Sequence, residues 1–200
     1  MIEVLDHGHV GFIESFGDDS TVLQIAKNII GKGDDLNDQK CIDFLIKTER
    51  SSLLNPVMFN FEIKAPLFVL ERWYEYSYKN KMNDKITEEF YTPSEFSFDG
   101  LIDLSKDSGK MKISQIRSLI FRSNQTSYTH YSDLINFGIP NHLAEMILPS
   151  SHYKTVNTII SLPKLLNFKD IENSHECSTY SDAVCELIKD IIPLTLKSIR

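Results

Sequence analysis

Few residues in this 200-residue chain stand in patterns that could do chemistry. His7 and His9 alternate around the turn Asp6-His7-Gly8-His9, as two metal ligands on one strand face would. No third ligand stands near them in sequence, so solvent-facing imidazoles on a turn are the simpler reading, and no metal is expected. A lone histidine such as His175 is more often structural than catalytic. Glu88-Glu89 and Asp34-Asp35 are paired carboxylates, but neighbours in sequence need not converge in space. The chain has no Gly-rich phosphate loop, no G-x-S-x-G and no H-E-x-x-H. Cys41, Cys177 and Cys185 are odd in number and lack metal-type spacing, which reads as reduced thiols of a cytoplasmic protein.

The bulk properties narrow the class. Net charge is −7, and no basic cluster exceeds K-x-K, which argues against a nucleic-acid partner. No apolar run approaches the ~18–20 residues of a membrane span, so no membrane association is expected. The opening Met1-Ile2-Glu3-Val4-Leu5-Asp6 lacks the basic flank of a signal peptide. A hydrophobic content of 42% with 24% charged residues suits a soluble globular protein. Length and the lack of repeats or linkers lead us to expect a single domain over 1–200.

The elements that must position any site follow from periodicity. Phe59, Phe61 and Ile63 alternate with Met58, Asn60, Glu62 and Lys64, which predicts a half-buried strand. Ala65-Pro66 ends it, and Leu67, Leu70, Trp73 and Tyr74 then recur at helical spacing. Short strands are expected over 2–5 and 10–16. A helix should start near Gly17, capped by Asp19 or Ser20, carry Val22, Ile25, Ala26, Ile29 and Ile30, and end at Gly31 and Gly33. Asn37 should cap the next helix, with Cys41, Phe44 and Leu45 inward. Residues 48–56 read as a polar loop and 94–112 as a loop with one helical turn. Residues 113–135 read as long helical segments with a break near Ser123-Asn124. A strand over 153–161, a short helix over 162–168 and a closing helix ending at Pro193 complete an α+β pattern.

The stretch F-E-I-K-A-P-L-F-V-x-x-x-W-Y resembles the flavin-dependent thymidylate synthases. The opening I-E-V-L-D-H-G-x-V, D-F-L-I-K before the strand, E-F-Y-x-P after it, G-I-P-x-x-L-A-x-x-I-L-P and the late S-H fall in that family's order. The resemblance spans nearly the whole chain. It implies that family's α+β fold, a central mostly antiparallel sheet flanked by helices. It also implies FAD as cofactor, methylenetetrahydrofolate as one-carbon donor, and a site between subunits of a homotetramer.

The residues that do the family's work are largely replaced. In the flavin-holding loop, which here opens at Arg50, only Ser52 keeps a hydroxyl. Asn55 stands where a glutamate is expected and Pro56 where a histidine is. That loop is either a weakened cofactor contact or a solvated connection. Asn167 and His175 match family residues near the flavin, which makes Arg50, Ser52, Asn55, Asn167 and His175 the candidate cofactor contacts. In the substrate pocket Arg72 replaces a glutamine, and Glu75, Tyr76 and Ser77 replace R-H-R. Glu145 replaces a phosphate-binding arginine. Asn83-Asp84 is a remnant of N-E, the following loop is shortened, and no arginine stands near Asp170 to Glu172.

Loss and reversal of the phosphate-binding charges imply an acceptor other than deoxyuridylate, a positive or neutral small molecule rather than a nucleotide monophosphate. Three readings follow from the resemblance. One is flavin-linked transfer of a methyl or hydroxymethyl group, or reduction, on another acceptor. A second is a non-catalytic paralogue acting as a binding or assembly module. The third is genuine thymidylate synthesis. No catalytic residue can be named from the sequence.

Overall fold

The computed structural model describes residues 1–30, 37–48, 50–75, 77–82, 88–98, 100–103, 105–170 and 174–199; the side chains of 51, 78–82, 96, 167–170 and 199 lie outside the description. In chain order the elements are β1 (Ile2–Val4), β2 (Gly8–Phe16), α1 (Asp19–Ile30), α2 (Asp38–Lys47), β3 (Met58–Pro66), α3 (Leu67–Tyr74) and β4 (Tyr78–Met82). There follow α4 (Asp107–Asn136), α5 (Asn141–Ala144), β5 (Tyr153–Ser161), α6 (Leu162–Asp170), α7 (His175–Ile188) and α8 (Pro193–Ile199). The strands form a five-stranded sheet in the order β1-β2-β3-β5-β4, antiparallel at every pairing. The expected α+β architecture, a mostly antiparallel sheet flanked by helices, is therefore present.

The alternation in β3 sets the sheet's two faces. Phe59, Phe61, Ile63 and Ala65 are fully buried, while Met58, Asn60, Glu62 and Lys64 are only half-buried. The buried face joins Val10 of β2 and Val156 and Ile160 of β5 in one apolar core. Val22 and Ala26 of α1, Ile42 and Leu45 of α2, and Val69, Leu70 and Trp73 of α3 complete that core with Tyr180, Val184 and Ile188 of α7. The register places Lys64 beside His9 on one side and Thr155 on the other.

Several local expectations need correction. Asp18, not Asp19 or Ser20, caps α1: its Oδ1 accepts from the backbone N–H of Ser20 at 3.0 Å and of Thr21 at 3.1 Å. Asp19 turns inward and caps α8 instead, accepting from the N–H of Leu194 at 2.6 Å and of Thr195 at 3.1 Å. Asn37 caps α2 as expected, accepting from the Lys40 N–H at 2.9 Å. Gly31 and Gly33 lie outside the described residues, as do Asn83-Asp84. The helix α4 begins inside the stretch expected to be loop, and it runs through Ser123-Asn124 without a break. Asn124 is buried there, and its Oδ1 accepts from the Ser151 hydroxyl at 2.9 Å, so a polar mid-helix residue marks a tertiary contact rather than an end. The closing helix stops at Ile188, and Pro193 opens α8 rather than ending a helix.

Candidate functional site

Lys64-Ala65-Pro66 carries the chain from β3 into α3. Pro66 stands at the N-cap with φ −58°, where its missing N–H costs no hydrogen bond. Val69, Leu70 and Trp73 then face the core, which turns Glu71, Arg72 and Glu75 outward. These three, with Phe68, Ser174 and Cys177 at the start of α7, line a cavity of about 400 Å³. Arg72 Nη1 lies 3.9 Å from Glu75 Oε1 one turn away, with both side chains more than half exposed. Next to this pair the Ser77 hydroxyl is buried without a hydrogen-bond partner. Tyr76 lies outside the described residues.

Glu145 meets a different fate. It sits in the 3-10 turn after α5, and Lys154 Nζ of β5 donates to its Oε2 at 2.6 Å. The side chains are only 14% and 26% exposed for Lys154 and Glu145, so solvent screens this pair little. The two acidic side chains thus do not form an unpaired acidic pocket. Each carboxylate has a cation of its own.

A second cavity, about 350 Å³, opens around His175. Asp6, Tyr91, Thr92, Arg117 and Thr179 share its wall. Leu5 has φ +57°, a left-handed conformation uncommon for a branched residue, and the turn it makes delivers Asp6 to this place. Asp6 accepts from the Tyr153 hydroxyl at 2.5 Å and from the Thr92 N–H at 3.0 Å. The Tyr91 hydroxyl donates to Glu176 at 2.6 Å and lies 2.9 Å from Ser97 Oγ. Tyr180 donates to the Lys64 carbonyl at 2.8 Å, while Lys64 Nζ pairs with Glu89 at 2.7 Å.

Burial pushes all three phenols well above their ordinary value. The carboxylates Asp6 and Glu176 push Tyr153 and Tyr91 further, and the charge of Asp6 does the same for Tyr180. Burial also works to raise Glu176, but the hydrogen bonds from Tyr91 and Ser97 outweigh it and leave its carboxyl below the ordinary range. At neutral pH the tyrosines are therefore donors and Glu176 an acceptor. Sequence reasoning missed this tyrosine–carboxylate layer. Asp6 and Tyr91 lie inside two of the framing segments, I-E-V-L-D and E-F-Y-x-P, and that was the available signal.

The loop candidates stand elsewhere. Ser52, on the 3-10 turn Ser51–Leu54, and Asn55, at its C-cap, are exposed, and the turn is held to the core by buried Leu54 and Val57. The Arg50 guanidinium lies 5.7 Å from the centroid of the Phe44 ring. The Asn167 backbone is in α6, and its side chain is outside the description. A third cavity, about 460 Å³, runs along α4 past Lys110, Arg117 and Arg122. Arg50, Ser52, Asn55 and Glu145 line none of these three cavities. Within one chain, then, the fold brings Arg72 and Glu75 to Ser174, beside His175, and leaves the loop residues apart. His9 bonds Glu62 at 3.1 Å, His7 packs edge-on to Tyr153, and among the described residues no three metal-binding side chains converge.

The family model described as "Thymidylate synthase complementing protein" matches residues 12–194. The flavin-dependent thymidylate synthase of Pseudothermotoga lettingae is 31% identical over 213 residues, covering 98% of this chain and 92% of that protein.

The chain belongs to the flavin-dependent thymidylate synthase family.

The enzyme of that name from Thermus thermophilus is 28% identical, over 96% of this chain and 76% of its own. Among solved structures, a UMP/dUMP methylase, PolB from Streptomyces cacaoi bound with 5-Br UMP, superposes with a TM-score of 0.80. Its identity is 18%, over 99% of this chain and 96% of that one, so it shows the shared fold alone.

Proposed function

We propose that this protein carries out flavin-linked one-carbon transfer on a nucleoside-like small-molecule acceptor that is not deoxyuridylate or another nucleotide monophosphate. The observation that carries this reading is the Glu145–Lys154 pair at 2.6 Å. Where the family pattern places an arginine for phosphate, this chain has a carboxylate whose charge is already met from within. A phosphate arriving there would face Glu145 and compete with it for Lys154. Glu75 likewise opposes a phosphate, and among the described residues its ion-pair partner is Arg72. An arginine fork matches phosphate geometry, and a carboxylate in its place repels it. The family membership and the methylase's fold support keeping one-carbon chemistry on a nucleotide-like ring while the phosphate grip is lost.

The residues present suit a flavin held by neutral bonds. Ser52 and Asn55 are exposed, and the buried Ser77 hydroxyl has no partner, so hydroxyl and amide groups stand ready where charged contacts are missing. Ser52, Asn55, Asn167 and His175 would hold FAD, with Arg50 at the start of the loop. When bound, FAD supplies the hydride and methylenetetrahydrofolate the one-carbon unit. The protein's own part is placement: Pro66 and buried Trp73 fix α3, and Ser174 caps α7 by accepting from the Cys177 N–H at 3.2 Å, fixing His175 one residue on. Because the loop and pocket residues stand apart in one chain, a homotetramer with a site shared between subunits completes the reading.

The Glu145–Lys154 closure also favours a second reading, a binding or assembly module without catalysis. Fluorescence titration with FAD separates the two. Saturable quenching of flavin emission at micromolar protein supports the enzyme. Its absence up to high micromolar concentration selects the module.

A further inference from the structure

The cavity along α4 is a concave basic site in an acidic protein. Lys110, Arg117 and Arg122 all reach it from α4. Ser114 and Ser118 of the same helix line it between them, and Thr92 lines it from outside the helix. Among the described residues the carboxylate lining it is Glu95, so three cations meet one anion in a chain of net charge −7. Among the described residues, no ion pair engages Lys110, Arg117 or Arg122, whereas six lysine or arginine ion pairs form elsewhere. The Arg122 Nε–H donates only to the Ser118 carbonyl of its own helix, at 3.2 Å. Ile113 forms a buried apolar floor, and Phe121, 56% exposed, stands at the edge with its ring available.

We infer that this cavity binds a multiply charged phosphate-bearing anion, with the phosphates on Arg117, Arg122 and Lys110 and any attached ring against Phe121. Arginine forks and serine hydroxyls are the donors such a group needs, and a concave wall strengthens their field. At about 460 Å³ the cavity has room for more than a bare phosphate. It shares no lining residue with the cavity of Arg72 and Glu75, so the inference stands apart from the acceptor reading. Arg117 also borders the His175 cavity, which makes it the residue through which a ligand here would be felt there.

The test is calorimetric titration of the full chain with inorganic pyrophosphate and, separately, with ADP. Saturable binding of pyrophosphate that weakens about tenfold or more in Arg117→Ala, and further in Arg117→Ala/Arg122→Ala, is expected, since charged hydrogen bonds carry such factors. Binding should weaken as salt is raised from 50 to 300 mM. ADP tighter than pyrophosphate, with the difference removed by Phe121→Ala, identifies a nucleotide; equal affinities identify the inorganic anion. Both outcomes fit the site. The arginines are exposed and alanine favours a helix, so circular dichroism melts of the variants should match wild type. No saturable heat with either probe, or binding that the arginine substitutions leave unchanged, would overturn the assignment.

Discussion

Glu145 and Lys154 hold each other with little solvent around either, which makes their bond stronger than the exposed Arg72–Glu75 contact at 3.9 Å. Removing Lys154 leaves a half-buried carboxylate without its cation. Lys154→Ala should therefore cost about 1–2 kcal/mol in urea unfolding, while Arg72→Ala should cost no more than about 0.5. Equal costs would mean that solvent screens the two pairs alike. Glu145 was legible in the sequence as a charged residue inside the framing G-I-P-x-x-L-A-x-x-I-L-P. Its partner was not. Only the path from the 3-10 turn into β5 turns Lys154 back onto it, and nine residues of separation alone say nothing of that.

At the scale of elements, Gly8 shows what the tyrosine layer demands of the backbone. A Cβ at this position would stand 2.0 Å from the Tyr180 hydroxyl oxygen, 2.7 Å from the Val4 carbonyl oxygen and 2.8 Å from that of Lys64. Gly8→Ala should cost about 1–3 kcal/mol, and trimming Tyr180 to phenylalanine should not rescue it, since the backbone oxygens remain. Thermal melts of both variants check this. The layer also sets the pH response. The phenols of Tyr91, Tyr153 and Tyr180 are raised on folding, so their contribution is complete below the unfolded value near 10 and is lost as pH rises past it. Glu176 is lowered, so its contribution is present above the unfolded value near 4.5 and is lost as pH falls. The urea midpoint should hold between pH 6 and 9 and drop on either side, with Tyr91→Phe blunting the alkaline drop. A midpoint that rises above pH 10 would contradict the layer as described. The β3 alternation and the Pro66 start of α3 were readable because period and proline chemistry are local. The unbroken α4 was not, because Asn124 answers to Ser151, a residue far along the chain.

At the scale of the molecule, α4 and the turn after it leave apolar side chains in the open: Leu119, Phe137 and Met146 are 61%, 81% and 78% exposed. Assembly of four chains would cover such surface and bring loop and pocket residues of different subunits together. Light scattering at micromolar concentration should give a tetramer, and Phe137→Asp/Met146→Asp should give smaller species with unchanged circular dichroism. A wild-type monomer would remove the shared site. Among the described residues, no helix is long and apolar enough to cross a membrane.

The account turns on phosphate. Calorimetry with deoxyuridylate, run with FAD present, tests it most directly. In Arg117→Ala/Arg122→Ala, where the α4 cavity has lost its arginines, no saturable heat is predicted up to about 1 mM, weaker than about 4 kcal/mol of binding. A micromolar Kd that persists in Arg117→Ala/Arg122→Ala would place the nucleotide outside the α4 cavity. It would show that Glu75 and Glu145 do not exclude the nucleotide, contradicting the account.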